Sequence, residues 1–339
     1  MALSQRDDVA ADPFRERVCH RFSVSKQILG GHFRFESASE ALLRLVEAAY
    51  GGLPPHPLLA AEAQFEVELR LLPRRATPHK GEPPGMTMQS GAGLICSVMD
   101  EANYVVLSPE QGRALVVAST DMLEHAYHLR YELIEFAVFT LATRRLGLVP
   151  LHGACVGHRG RGVLLLGNSG NGKTTLTLHS LLGGLDVLAE DAVFVQPASL
   201  LATGVANYLH LKSDAVRFID DAAIARWIVQ SPTIRRRSGV EKFEVDLRHA
   251  PGRPAYAPLR LVGAVFVSAE TAEDPDSLLQ PVPDAEAAAL LIENQPYACG
   301  QPGWDLFTER VVHLGVHRLR RGRHPRDAIA ALHGFLSAC

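Results

Sequence analysis

Gly167-Asn168-Ser169-Gly170-Asn171-Gly172-Lys173-Thr174 fills the spacing GxxxxGK(S/T), with the apolar run Gly162–Leu166 before it and Leu176, Leu178, Leu181 and Leu182 at helical spacing after it. A strand leading in and a helix leading out give that spacing its meaning as a phosphate loop. The glycines free the backbone to turn successive N–H groups onto a phosphate, and the positive end of the following helix adds to the attraction. Lys173 is expected to bridge β- and γ-phosphates as a point charge, and Thr174 to offer its hydroxyl to Mg2+. The expected nucleotide-binding set is Asn168, Ser169, Gly170, Asn171, Gly172, Lys173, Thr174 and Thr175, and the expected ligands are ATP, or another nucleoside triphosphate, and Mg2+.

A short way on, Leu185 to Val195 reads as an apolar strand interrupted by Glu190-Asp191, with Gly183-Gly184 ending the helix before it. Val163 to Val195 is then one strand-helix-strand unit whose right-handed crossover makes its strands parallel and brings both acids beside the phosphate loop. Carboxylates are rarely set among apolar residues without a partner. One of the two is expected to hold Mg2+, with Asp191 and Thr174 as the metal-side pair, and the other to accept a proton from an attacking hydroxyl.

Upstream, Leu151-His152-Gly153-Ala154-Cys155-Val156-Gly157 joins the phosphate-loop strand through His158-Arg159-Gly160-Arg161, the pattern of a hairpin. With the turn at Arg159-Gly160, facing residues sum to about 319, which sets His152 opposite Gly167 at the mouth of the loop. His152, Lys173, Glu190 and Asp191 form the expected catalytic set.

In order and spacing these elements resemble the catalytic domain of HPr kinase/phosphorylase and its relatives, which share a fold core with the phosphoenolpyruvate carboxykinases. The family pattern runs His-Gly, a short hairpin, a phosphate loop, a helix and a strand ending in Asp-Asp. Here these are His152-Gly153, Gly167 to Thr174, and Glu190-Asp191, so the first acid is Glu instead of Asp. No Glu-Ile-Arg-Gly-type segment follows, which marks the chain as a divergent relative. The likeness is close from Leu151 to Val195 and looser over the C-terminal half. It implies an α/β P-loop kinase domain with a mixed sheet of the HPr kinase/phosphoenolpyruvate carboxykinase type. It also implies Mg2+-dependent γ-phosphoryl transfer to a hydroxyl, usually a serine of a protein or peptide, and it permits a homo-oligomer. A small-molecule alcohol is the alternative acceptor; a nucleotide-hydrolysing regulator and a binding module are the alternative functions. Related kinases carry a stretch similar to Leu209–Ala215, which would put Lys212 and Asp214 at the border of the site.

Two domains fit 339 residues better than one core. Residues 1–147 read as a smaller N-terminal α+β lobe for substrate or partner recognition, and residues 148–339 as the catalytic domain. In the first, Phe33–Phe35, Ala63–Leu71, Leu94–Ser97, Tyr104–Leu107 and Ala114–Val117 read as strands. Ser39–Ala49 reads as a helix, Pro73–Pro84 as a loop, and Asp121–Leu146 as a bridging helix capped by Asp121 and ended by Gly147. In the second, Tyr208–Phe218 reads as a strand turning into a helix with Ser213 as cap. Val240–Leu247, Leu259–Val267 and Val311–Leu319 read as strands, Glu270–Asp276 as an acidic loop, and Asp284–Leu291 and Pro325–Leu336 as helices. Arg235-Arg236-Arg237 in the turn-rich Ser231–Gly239 reads as a solvated face, so only Lys242, on the strand after it, joins the nucleotide-binding set.

The balance of 34 basic against 37 acidic residues speaks against a general nucleic-acid or membrane surface. No apolar run reaches the length that spans a bilayer, and the acids of Met1–Arg17 do not suit a secretory signal. Five scattered cysteines suit a reducing, cytoplasmic setting.

Overall fold

Val163, Leu164, Leu165 and Leu166 are all fully buried, which a strand achieves only with cover on both faces of its sheet. A computed structural model of the chain supplies that cover and describes residues 22–58, 63–78, 81–252, 254–274 and 277–338. The acidic stretch Met1–Arg17, Cys19 and Cys339 lie outside the described residues, as do 79–80 and 275–276 of the two expected loops.

The N-terminal part forms a seven-stranded sheet of β1 (Phe22–Ile28), β2 (Gly31–Ser37), β3 (Ala63–Leu72), β4 (Thr87–Gly91), β5 (Leu94–Asp100), β6 (Asn103–Ser108) and β7 (Arg113–Ser119), in the order β1-β2-β3-β7-β6-β5-β4. β2, β3 and β7 run parallel and the remaining pairs antiparallel. Alternation places Phe33, Phe35, Phe65, Val67 and Leu69 on one face. There they meet the Glu40–Tyr50 helix and the helical segment after β7. That segment was expected as one helix and is built in four parts. A 3-10 turn over Thr120–His125 leads through Ala126–His128 into a π-helical stretch, Leu129–Ile134, and an α-helix over Glu135–Leu146. Asp121 does not cap it: its carboxylate instead holds Arg75 through the Arg75 backbone N–H (3.2 Å) and Nε (2.8 Å). Gly147 ends the segment as expected, in the left-handed conformation at φ 63°.

The second sheet holds nine strands. They are β8 (Val149–His152), β9 (Ala154–His158), β10 (Arg161–Leu166), β11 (Asp186–Ala189), β12 (Ala192–Gln196) and β13 (Leu201–Gly204), then β17 (Leu259–Thr271), β18 (Leu279–Pro281) and β19 (Val316–Arg321). A small third sheet, β14 (Tyr208–Leu211), β15 (Thr233–Arg235) and β16 (Glu241–Asp246), is ordered β14-β16-β15. The nine-stranded sheet is mixed, with β10 and β19 both parallel to β17. Helices Asp284–Asn294 and Trp304–Leu314 pack on one face, and Lys173–Leu182 and Pro325–Ala338 on the other. This is an α/β chain with helices on both sides of a mixed sheet. Phe139 and Phe194, with ring centroids 4.9 Å apart, tie the first core to the second sheet.

Four expectations need correction here. The stretch Leu185–Val195 is not one strand: β11 pairs with β9, while β12 pairs with β8 and β13, and the ladder breaks at Glu190-Asp191. β11 does run parallel to β10, but β9 lies between them. The β9–β10 hairpin has the expected register, with His158 opposite Arg161 and Ala154 opposite Leu165. His152, however, has already left that ladder on β8 and faces Ala192. Third, Val311–Leu314 belongs to the Trp304–Leu314 helix, and the strand there starts at Val316. Ser213, too, lies inside a 3-10 turn that Lys212 precedes and does not cap it.

The chain steps from β8 to β9 at Gly153, where a Cβ would lie 2.7 Å from the Leu165 carbonyl oxygen and 2.8 Å from Leu166 Cδ2. Gly153→Ala is expected to lower unfolding stability in urea by about 1–3 kcal/mol, the usual cost of forcing extra volume into a packed interior. Gly334→Ala, at a helical site with nothing within 4 Å of the new atom, should be neutral or stabilise by up to about 1 kcal/mol. An unchanged midpoint for Gly153→Ala would show that the strand switch does not need a glycine.

Candidate phosphate-loop site

β10 ends at Leu166, and the loop that follows takes its three glycines through positive φ, at 126° for Gly167, 90° for Gly170 and 101° for Gly172. Side-chain-bearing residues rarely adopt these angles. Gly167 is also pressed against β17, where a Cβ would meet the Val267 carbonyl oxygen at 2.7 Å. Asn171 Nδ2 donates to that same oxygen at 2.8 Å, pinning the far side of the loop. The Lys173 ammonium donates back to the Gly167 and Asn168 carbonyls. Burial lowers its pKa, against the opposing pull of Asp191 and Glu190.

Both acids sit at the break between β11 and β12, and they face different partners. Glu190 is buried, and its Oε1 accepts a 2.6 Å hydrogen bond from the Thr174 hydroxyl. Its Oε2 has no hydrogen-bond partner and lies 3.7 Å from His210 Nδ1, itself buried and unpartnered. Asp191 adopts a left-handed backbone at φ 74°. Its Oδ2 accepts from Arg236 at 2.5 Å, and its Oδ1 lies 3.6 Å from His152 Nδ1. Burial would raise the Asp191 carboxyl, but the Arg236 guanidinium, helped by His152, outweighs burial and holds it at about 2. Of the two expected metal-side residues, Thr174 therefore meets Glu190, not Asp191.

His152 reaches the site by a route other than the expected register. Gln295 clamps its backbone on both sides, accepting from the His152 N–H at 2.7 Å and donating to its carbonyl at 2.9 Å. The neighbouring Asn294 Oδ1 accepts from the Gly167 N–H at 3.2 Å. The end of one helix thus fixes both His152 and the start of the loop. Sequence reasoning missed both residues, because they lie more than a hundred positions away.

His152, Lys173, Thr174, Glu190, Asp191, His210 and Arg236 line one cavity of about 1030 Å3. Ser169 to Thr175, Lys212, Asp214 and Lys242 line it too. Asn168 lies outside the lining and touches the site through its carbonyl. Burial lowers the pKa of the Lys242 ammonium, and the nearby Arg236 charge lowers it further. Of the arginine triplet, Arg235 is exposed as expected, whereas Arg236 and Arg237 are held by partners. Arg236 also donates to the Tyr127 hydroxyl at 3.0 Å, and Arg237 donates to Glu132 (2.8 Å from Nε) and to the Pro83 and Pro84 carbonyls. The usable signal was position: Arg236 opens the β15–β16 turn, closed by its N–H to the Val240 carbonyl at 2.9 Å.

A polar layer runs on from Glu190 into the N-terminal part. His210 Nε2 lies 2.9 Å from the Tyr131 hydroxyl and 3.4 Å from Glu244, and Arg130 donates to Glu244. Burial alone would lower the His210 pKa, but the carboxylates of Glu190 and Glu244 on either side raise it. Among the described residues no cluster of three His, Cys, Asp or Glu has the form of a metal site, and no helix is long and apolar enough to cross a membrane. No protein-family model matches the chain, and no curated protein matches it.

Asp191 titrates near 2 in the folded chain against an ordinary value of 3.8. Its ionised form therefore stabilises the fold fully above about pH 5, and that contribution is lost as pH falls toward 2. Asp191→Asn should destabilise the protein near neutral pH, with the gap from wild type narrowing in urea titrations run from about pH 6 to pH 3. A gap that stays constant over that range would mean that Asp191 is not held ionised by Arg236.

Proposed function

We propose that the chain is an ATP-dependent kinase that transfers the γ-phosphoryl group to a hydroxyl acceptor. The observation that carries this reading is the 2.6 Å bond from Thr174 of the phosphate loop to Glu190, with Asp191 next to it facing the same cavity. A loop built to attract phosphate and two carboxyls facing it form the minimum equipment for in-line phosphoryl transfer. The order His-Gly, hairpin, phosphate loop, helix, acid pair also supports kinship with HPr kinase/phosphorylase, with Glu190 in place of the first Asp.

The Gly170–Thr174 backbone and Lys173 would hold the β- and γ-phosphates. The donor set suits Mg2+: a threonine hydroxyl and one carboxylate are the usual protein share, phosphate oxygens and water completing the shell. Thr174 and Glu190 would hold it, since Glu190 Oε2 is a buried oxygen without a partner. Bound there, the ion would neutralise charge developing on the leaving phosphate oxygens. That assignment leaves Asp191 to take the acceptor's proton. A carboxyl titrating near 2 is a weak base, but a loose transition state asks mainly for an oriented acceptor, and the proton leaves late. Arg236 fixes the Asp191 carboxylate, and His152, 3.6 Å away, is placed to steady the transferred group.

Lys173→Ala is expected to lower kcat/KM for acceptor phosphorylation by at least about a hundredfold, the scale of losing one preorganised charge at the reacting phosphate. Its Tm should stay near that of wild type, because its partners are the carbonyls of a solvent-facing loop. ADP release that depends on an added hydroxyl compound distinguishes transfer from hydrolysis. Retained activity in Lys173→Ala, or ADP release indifferent to every acceptor, contradicts the kinase reading.

A further inference from the structure

Glu135 opens the α-helical part of the bridging segment, directly after its π-helical turn, and only 7% of it is exposed. No described residue donates a hydrogen bond or forms an ion pair to its carboxyl, yet Glu135 lines the same cavity as Asp191. Two neighbours share this lack. The Tyr50 hydroxyl and Arg130 Nε are buried without a hydrogen-bond partner, and both are close enough to Glu135 to feel its charge. A buried carboxyl with no partner costs several kcal/mol if ionised, so such groups are ordinarily paired. The protein alone leaves this layer unsatisfied, and the cavity is the side from which a partner can come.

The walls of this part of the cavity define the partner. Ala49, Phe139, Ala192 and Val205 give it an apolar body, and Tyr131 and Tyr208 give it aromatic faces. Those rings already hold one cation: the Arg130 guanidinium lies 4.7 Å from the Tyr131 centroid and 4.4 Å from that of Tyr208. Carboxyl and ring faces together recognise an ammonium. Burial pushes the Glu135 carboxyl up to about 8, only partly offset by Arg130 and His210. A cationic ligand would reverse that shift and recover the cost of burial. A cavity of about 1030 Å3 sits at the top of the range for a single small ligand, roughly 300–1,000 Å3, which leaves room for a nucleotide and a compact acceptor.

We propose that the inner arm of this cavity binds a primary ammonium at Glu135, so that the phosphoryl acceptor is a small amino alcohol with its hydroxyl at Asp191. The hydroxyl half of this assignment rests on the kinase reading; the ammonium half stands on the Glu135 arm alone. A serine within a polypeptide would bring amides, not an ammonium, to that depth.

The test is isothermal titration of the full chain with matched pairs: ethanolamine and ethylene glycol, serinol and glycerol, glucosamine and glucose. At least one amine should bind about tenfold or more tightly than its hydroxyl partner. Glu135→Gln should erase the preference with ADP binding unchanged, and Glu135→Asp should keep part of it. Val205→Phe, which adds bulk to the lining of the same cavity while leaving Glu135 in place, should also abolish amine binding and guards against a misfolded Glu135 variant. Equal binding within every pair, no binding of any amine, or a preference that survives in Glu135→Gln overturns the assignment. ADP binding is followed separately: its absence in wild type sinks the kinase reading, while the amine preference is still scored on its own.

Discussion

Two adjacent carboxyl groups have to be kept beside the glycine-rich loop that leads into the Lys173–Leu182 helix, at a point where a strand ladder breaks. Everything around the cavity answers to that constraint. β11 and β12 cannot be one strand, because the residues between them must leave the sheet to face the loop. Asp191 takes a left-handed backbone to make the turn, a conformation that costs of order 1–3 kcal/mol outside glycine and survives only where neighbours enforce it. Here Arg236 holds the side chain, and the Gly153 N–H reaches the Asp191 carbonyl at 3.3 Å. Glu190 turns the other way, inward to Thr174. The two acids are thereby separated in environment, one set against Thr174 and the other against an arginine and a histidine. Such a division is how neighbouring carboxyls come to carry different roles.

The same constraint explains why the N-terminal part matters to a site made mostly by the second sheet. The small third sheet supplies Arg236 and Arg237 from its hairpin, and both arginines reach the bridging helical segment, at Tyr127 and Glu132. Arg130 answers from the opposite side by donating to Glu244 of β16. The cavity is therefore closed by pairs that cross between the two halves. π-helical turns are rare and are found disproportionately at functional sites. The one here, Leu129–Ile134, holds Arg130, Tyr131 and Glu132, all three of them in these contacts.

Much of this is legible in the sequence. The Gly167–Thr174 loop carries its conformation in its glycines and its setting in the apolar run and leucine repeat on either side. The hairpin register followed from Arg159-Gly160 alone, since a two-residue turn with positive φ at both positions fixes the pairing. What failed did so for a common reason: strand partners and ion pairs are set by contacts distant in sequence. His152 was brought to the site through β12 and Gln295, not through the hairpin. Arg236 looked like any exposed basic residue because its partner lies 45 positions back. The π-turn left no mark on the helical periodicity of Leu129, Leu133 and Ala137. The Trp304–Leu314 helix did leave one, in Trp304, Phe307 and Val311 at three- and four-residue spacing, but Val311 was read as the start of the next strand.

A crystal structure of the chain with Mg2+ and a non-hydrolysable ATP analogue tests the kinase reading most directly. The β-phosphate is expected in the Gly170–Thr174 turn, with the γ-phosphate beside Lys173 and its free face toward Asp191. A nucleotide bound elsewhere in the cavity, or one whose γ-phosphate points away from both Glu190 and Asp191, would contradict it.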